Sequence, residues 1–177
     1  YADGFIQPLL YGMCDSMQPA VGYNWGAGRF SRVRAIEKCC FTASAVVSLT
    51  AAAVLFCFPR QVAMLFMSGG NAAYLAMAVG ALQLFSLTYL TRWSSFAIQS
   101  YLLAVEKSLQ ASIISVSTAL FFPVLLILIL WPLGLTGLWL NFAATAVLAA
   151  VLAVLILRRE RADLSRADLS ASPASPD

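Results

Sequence analysis

Histidine is absent from the 177 residues, and only 11% of the chain is charged. Without an imidazole the sequence lacks the commonest general base and the commonest nitrogen ligand for metals. The four cysteines (Cys14, Cys39, Cys40 and Cys57) have no CxxC spacing and mostly apolar neighbours, so they read as packing residues rather than a zinc site or redox pair. No nucleophile has a base at plausible spacing and no glycine run follows a strand pattern, which argues against an enzyme. Soluble domains carry roughly 25% charged residues; the scarcity here excludes an ordinary soluble globule. Basic residues number 11 against 8 acidic ones, and they cluster at Arg29, Arg32, Arg34 and Lys38 and again at Arg158, Arg159, Arg161 and Arg166. They punctuate the chain instead of forming a face, so nucleic acid is not an expected partner.

What is plentiful is apolar surface, at 61% of residues with a mean hydropathy of +0.83. A bilayer core about 30 Å thick needs about 20 helical residues. Residues 40–58, 108–131 and 135–157 meet that length directly. Residues 72–105 form one long or kinked span with Arg92 inside it. Residues 4–25 are more polar, with Gln7, Pro8, Asp15, Gln18 and Pro19, and read as a polar-lined span. The lipid bilayer is therefore the expected environment, and the expected fold is an all-α, polytopic transmembrane helix bundle of about five helices.

Loops rich in Lys and Arg stay cytoplasmic. Arg29 to Lys38 then put the first loop inside, the alternation runs consistently through five spans, and the C-terminus is cytoplasmic. The segment PRQVAMLFM (59–67) is too short to cross and fits an amphipathic surface helix, with a soluble-core helix as the competing reading. After Leu157 the composition shifts to RRERADLSRADLSASPASPD, read as a disordered cytoplasmic tail over 158–177; its tandem RADLS is as well explained by slippage in the coding sequence as by a binding role. The opening YADGFIQPLL has neither the basic start nor the apolar core of a signal peptide. It suggests a piece of something longer.

Ionisable groups at membrane depth are functional candidates, which singles out Asp15 and Arg92. Each lies 13 residues before its cytoplasmic helix end, roughly 20 Å at 1.5 Å per residue. The sharp expectation is an ion pair or a shared water-filled cavity. The bland one has Arg92 snorkelling beside Trp93 and Asp15 lining a solvent path without a partner. Gln18, Gln83, Gln99 and Asn141 add amide groups, and Tyr11, Tyr89 and Tyr101 add amphipathic rings. Together they suit a cavity for bulky organic substrates, or equally cross-helix hydrogen bonds. Pro8, Pro19 and Pro123 should bend their helices, as hinges or as fixed kinks. Ala-rich stretches in the second and last spans let backbones approach closely. The GAG at 26–28 reads as a tight turn between helices, since a dinucleotide loop would need a strand before it.

The segment Gln18-Pro19-Ala20-Val21-Gly22-Tyr23-Asn24-Trp25-Gly26-Ala27-Gly28, followed by a basic run, resembles a QP-x-x-GYN-x-GA hallmark of the multidrug and toxic compound extrusion (MATE) family. The FP-containing outer segment, a long helix ending near Glu106 and Lys107, and a last helix opening GLTGLWLN are similar in order and spacing. About 155 residues share the likeness. The resemblance implies a parent of twelve helices in two lobes, of which this chain looks like the last five, with the N-terminal lobe as its missing partner. It further implies exchange of small organic cations or drugs for H⁺ or Na⁺ by alternating access, with no cofactor beyond the coupling ion and no metal site. The setting implied is an integral membrane protein of a bacterial inner or plasma membrane. One departure stands out: the helix that in some members carries an acid for a cation site offers Gln83, Thr88, Tyr89 and Arg92 but no acid before Glu106, which argues against a Na⁺ site of that kind. Rival readings are a lipid-linked precursor flippase of the same superfamily, which would want several basic residues in its cavity, and a non-transporting membrane scaffold or truncated relic.

Overall fold

A computed structural model describes residues 2–66 and 72–171. Nine α-helices and three short turns of other pitch make up these residues, with no strand among them. Three stretches, Phe30–Cys57, Tyr74–Ala104 and Ser108–Ala162, are long and apolar enough to cross a membrane. The last of them reverses direction partway, as set out below.

The polar-lined stretch 4–25 is two helices instead of one, α1 (Ala2–Asp15) and α2 (Met17–Gly26). The break has a local cause. Pro19 has no N–H to give the carbonyl of Asp15, and its ring would crowd that carbonyl in a continuous helix; placed in the first turn of α2, it needs no such partner. Ser16 fills the joint by donating its hydroxyl to the Met13 carbonyl at 2.7 Å. Pro8, by contrast, lies within α1.

At the far end of α2, Gly28 takes φ +67°. Its N–H reaches the Trp25 carbonyl at 3.0 Å and the Arg29 N–H reaches Asn24 at 2.9 Å, which is the left-handed C-terminal cap that glycine favours. The basic run expected as a loop is helical: α3 (Phe30–Cys57) begins right after the cap, and Lys and Arg are good helix formers. The short helix expected after it is α4 (Pro59–Phe66), while Met67 lies outside the described residues.

The span 72–105 is kinked. It divides into α5 (Ala72–Ser86), a 3-10 turn (Leu87–Leu90) and α6 (Arg92–Ala104). Residues Ser95 to Ile98 and Ser100 to Leu102 are buried, on every side of the helix, so α6 is the central element of the bundle. A tight turn at Glu106 leads into α7 (Ser108–Val116), a π turn (Ser117–Phe121) and α8 (Phe122–Leu130). The π turn precedes Pro123, which cannot donate to the preceding turn, and such turns accompany interrupted hydrogen-bond ladders.

A 3-10 turn at Trp131–Leu133 and Gly134, with φ +57°, reverse the chain into α9 (Gly134–Ala171). Asn141 Nδ2 reaches across this hairpin to the Pro123 carbonyl at 3.4 Å. Helix α9 packs on α6, α8 and α5. No residue of α8 is buried, which leaves an outer face of Leu and Ile suited to lipid.

Helix α9 continues past Leu157 through Ala171, where composition suggested a disordered tail from 158 onward. Two physical reasons apply: Arg, Glu, Ala and Leu are strong helix formers, and Glu160 and Arg161 are tied to the bundle. Glu160 pairs with Lys107 at 2.9 Å and accepts from Gln110 Nε2 at 2.8 Å, and Arg161 pairs with Glu37. Residues 172–177 lie outside those described. These contacts bring the start of α3, the turn after α6 and the end of α9 to one basic end of the bundle.

Two apolar cores stack along α6. One gathers Met17, Val21, Val33, Ile98, Leu102, Ile114 and Leu157 toward the basic end; the other gathers Leu10, Cys14, Leu55, Tyr89, Phe96 and Ala97 toward the opposite end. The packing role expected for the cysteines holds for Cys14 and Cys40, which are buried, whereas Cys39 and Cys57 are exposed.

Candidate functional site

Helices α1 and α6 pack side by side, and along their seam lie two carboxylates with separate sets of partners. The first is Asp3. Its Oδ1 accepts a hydrogen bond from the Tyr89 hydroxyl at 2.5 Å and lies 3.5 Å from Arg92 Nη1. Tyr89 is fully buried, delivered by the 3-10 turn, and its own carbonyl accepts from Ser48 Oγ of α3 at 2.6 Å. The kink between α5 and α6 thus has a use: it turns Tyr89 and Arg92 toward the same carboxylate. Arg92 also stands 5.4 Å over the Phe96 ring, within cation–π range, and Phe96 stacks on Tyr11 of α1 at 4.1 Å between centroids.

The second carboxylate is Asp15. It accepts from Ser100 Oγ at 2.6 Å and from Gln18 Nε2 at 2.9 Å. The ion pair between Asp15 and Arg92 is not formed, because the residue of α6 opposite Asp15 is Ser100, eight positions or roughly 12 Å along the helix from Arg92. Equal residue counts from the two helix ends did not mean equal depth, since the joint at Ser16 lies within the first count and not the second. Arg92 instead finds Asp3, a residue that sequence reasoning passed over because it precedes the apolar stretch. A carboxylate within one helix length of a membrane-depth arginine was the available signal.

The other expected site residues scatter. Gln83 lines a cavity of about 500 Å³ between α5 and α9, with Leu87 and Trp139. Gln99 is half-buried on α6 and bonds to neither carboxylate. Of the motif residues, only Gln18 touches a carboxylate. Pro19 makes the helix break, and Asn24 Nδ2 donates back to the Ala20 carbonyl at 2.8 Å. Tyr23 is exposed. Gly22 faces the Ala104 carbonyl, where an added Cβ would sit at an ordinary 3.5 Å, and Gly26 and Ala27 close α2. The motif therefore shapes a helix and its turn more than it lines a pocket.

Asp3 also borders a cavity of about 510 Å³, walled by Ala63, Tyr74, Met77, Leu82, Phe85, Trp139 and Phe142 among others from α4, α5 and α9. Among its described lining residues Asp3 is the one charged group. An apolar, aromatic space with one carboxylate at the wall is suited to an amphipathic cation.

Comparison with known proteins places this geometry in context. A family model described as MatE matches residues 2–129, a range that includes both carboxylates and their partners on α6. No curated protein and no solved structure matches the chain.

Proposed function

The chain belongs to the MatE family, whose members are membrane transporters, and from that premise we propose that it forms the C-terminal lobe of a secondary antiporter. The substrates of this reading are small organic cations or drugs, exported in exchange for H⁺ or Na⁺ by alternating access. The observation that carries it is Asp3: a carboxylate held by Tyr89 and Arg92 at the edge of an aromatic cavity of about 510 Å³, within the roughly 300–1,000 Å³ range of sites for drug-sized ligands.

In this reading the cavity walls contribute apolar and cation–π attraction, about 0.5–2 kcal/mol per aromatic face, and Asp3 contributes charge. An entering cation competes with Arg92 for the carboxylate. Arg92 already supplies a positive charge beside Asp3, which opposes any second cation there, and the coupling ion in this reading is H⁺ or Na⁺. Asp15, with its hydroxyl and amide donors, lines the path toward the basic end. The missing N-terminal lobe supplies the opposite wall, and switching between the two faces is a population shift set by differential binding. The basic end lies in the cytoplasm, and with it the C-terminus, in a bacterial inner or plasma membrane.

The test is export of a fluorescent organic cation by cells expressing the transporter with Asp3→Asn or Tyr89→Phe, at equal amounts of folded protein. Asp3→Asn is expected to lower export at least about tenfold, equivalent to 1.4 kcal/mol. Tyr89→Phe, which removes one charge-assisted hydrogen bond, is expected to lower it less. Full export by Asp3→Asn would overturn the assignment.

A further inference from the structure

Beside Arg92, and sharing the Phe142 wall with the larger cavity, lies a second and smaller space. It measures about 150 Å³ and is enclosed by the 3-10 turn, α6, the π turn, α8 and α9. Pro123, Phe142 and Ala146 supply apolar wall, and beside them stands a set of polar side chains uncommon inside a membrane bundle: Thr88, Arg92, Ser95, Thr118, Asn141 and Thr145. Thr88, Ser95, Asn141 and Thr145 are themselves buried.

The hydrogen-bond inventory of this lining is unbalanced. Ser95 Oγ donates to the Arg92 carbonyl at 2.9 Å, Thr118 Oγ1 to the Ile114 carbonyl at 2.7 Å, and Thr145 Oγ1 to Asn141 Oδ1 at 3.0 Å. Each of these hydroxyls has spent its hydrogen and keeps lone pairs free to accept. Thr88 Oγ1 has neither donor nor acceptor among the described residues, although Thr88 is only 2% exposed. Arg92 has five N–H groups and one carboxylate partner, reached through Nη1. The space therefore presents unspent donors from Arg92 and Thr88 beside unspent acceptors from Ser95, Thr118 and Thr145. A ligand that is both donor and acceptor satisfies all of them, and a bare ion of either sign satisfies half. At ~30 Å³ per molecule there is room for several waters, each with the two to four polar partners it requires.

We propose that this chamber is a water-binding site that solvates Arg92 and serves as the alternative seat for its guanidinium when Asp3 is otherwise engaged. An arginine within a bilayer is tolerated where water or polar groups meet it. Asp3 and the chamber both border Arg92, which gives it two polar environments to pass between by rotating its own side chain. The hydration stands independently of the transport reading; the use of the second seat rests on that reading.

The experiment is water-edited solid-state NMR of the full chain in lipid vesicles, which follows magnetisation from water into named side chains. Thr88 and Thr145 are expected to receive water signal several-fold faster than Ala149, which is also buried on α9, one turn beyond Thr145, and outside the chamber. Equal rates at all three positions would overturn the hydration. An Asn141→Leu substitution, which fills the chamber with an apolar group, is expected to slow transfer to Thr88, and an unchanged rate there would overturn it too. For the second seat, Asp3→Asn is expected to quicken transfer from water to the Arg92 side chain. The unaltered rate would remove the seat and leave the water site standing. None of these readouts depends on export, so failure of the antiporter reading is separately visible.

Discussion

Removing the guanidinium of Arg161 should destabilise the bundle in a pH-dependent way, and the size follows from how Glu37 is buried. The Glu37 side chain is 5% exposed and that of Arg161 56%. Breaking a fully buried ion pair by deleting one partner costs about 3–5 kcal/mol, because the remaining charge is left uncompensated. Here the deleted partner is more than half in solvent, where its attraction is screened, so Arg161→Met should cost about 1–2 kcal/mol at neutral pH. Helix α9 stays in place through Glu160, which Lys107 and Gln110 hold independently.

With Arg161 gone, the buried Glu37 side chain keeps its charge only as an uncompensated one, and protonation relieves that cost. The deficit of Arg161→Met is therefore largest near neutral pH and shrinks toward acid. Thermal melts in detergent between about pH 4 and 8 measure it, with Glu37→Gln as the companion change. Once Glu37 is neutral, losing Arg161 should cost only a few tenths of a kcal/mol. A deficit that is flat with pH, or that persists in the Glu37→Gln background, would refute the reasoning.

Two further predictions concern backbone geometry. In Gly137→Ala the added Cβ would lie 2.4 Å from the Leu130 carbonyl oxygen, a backbone atom that cannot step aside, so a loss of about 1–3 kcal/mol in the same melts is expected; Gly80→Ala, with nothing within 4 Å, should instead gain up to about 1 kcal/mol. Glu106 adopts φ +64°, in a cap where its N–H meets the Leu103 carbonyl and that of Lys107 meets Leu102. Since that conformation costs a non-glycine residue roughly 1–2 kcal/mol, Glu106→Gly should raise the melting temperature, offset in part by the greater freedom of glycine when unfolded.

The parts of this protein legible in its sequence are those governed by short-range rules. Apolar runs of about 20 residues dictate membrane-length helices wherever they occur, so the all-α bundle followed from composition. The cap at Gly28, the break near Pro19 and the reversal at WPLG are local consequences of residues that lack a Cβ or an N–H. The motif from Gln18 to Ala27 was enough to indicate the family, and the family match agrees with it.

What tertiary structure decided was partnership. Asp15 and Arg92 were both visible as anomalies in apolar surroundings, yet which carboxylate meets the arginine depends on how far α1 slides along α6 and on a joint that divides the first span. Depth counted from helix ends carries an error of several residues, and a few residues exchange one partner for another. The same holds for α9 beyond Leu157, whose composition resembles a tail until Glu37 and Lys107, 124 and 53 residues away from their partners, come within reach. Ion pairs and enclosed polar chambers are properties of surfaces brought together from distant segments, and packing alone determines which of these groups meet.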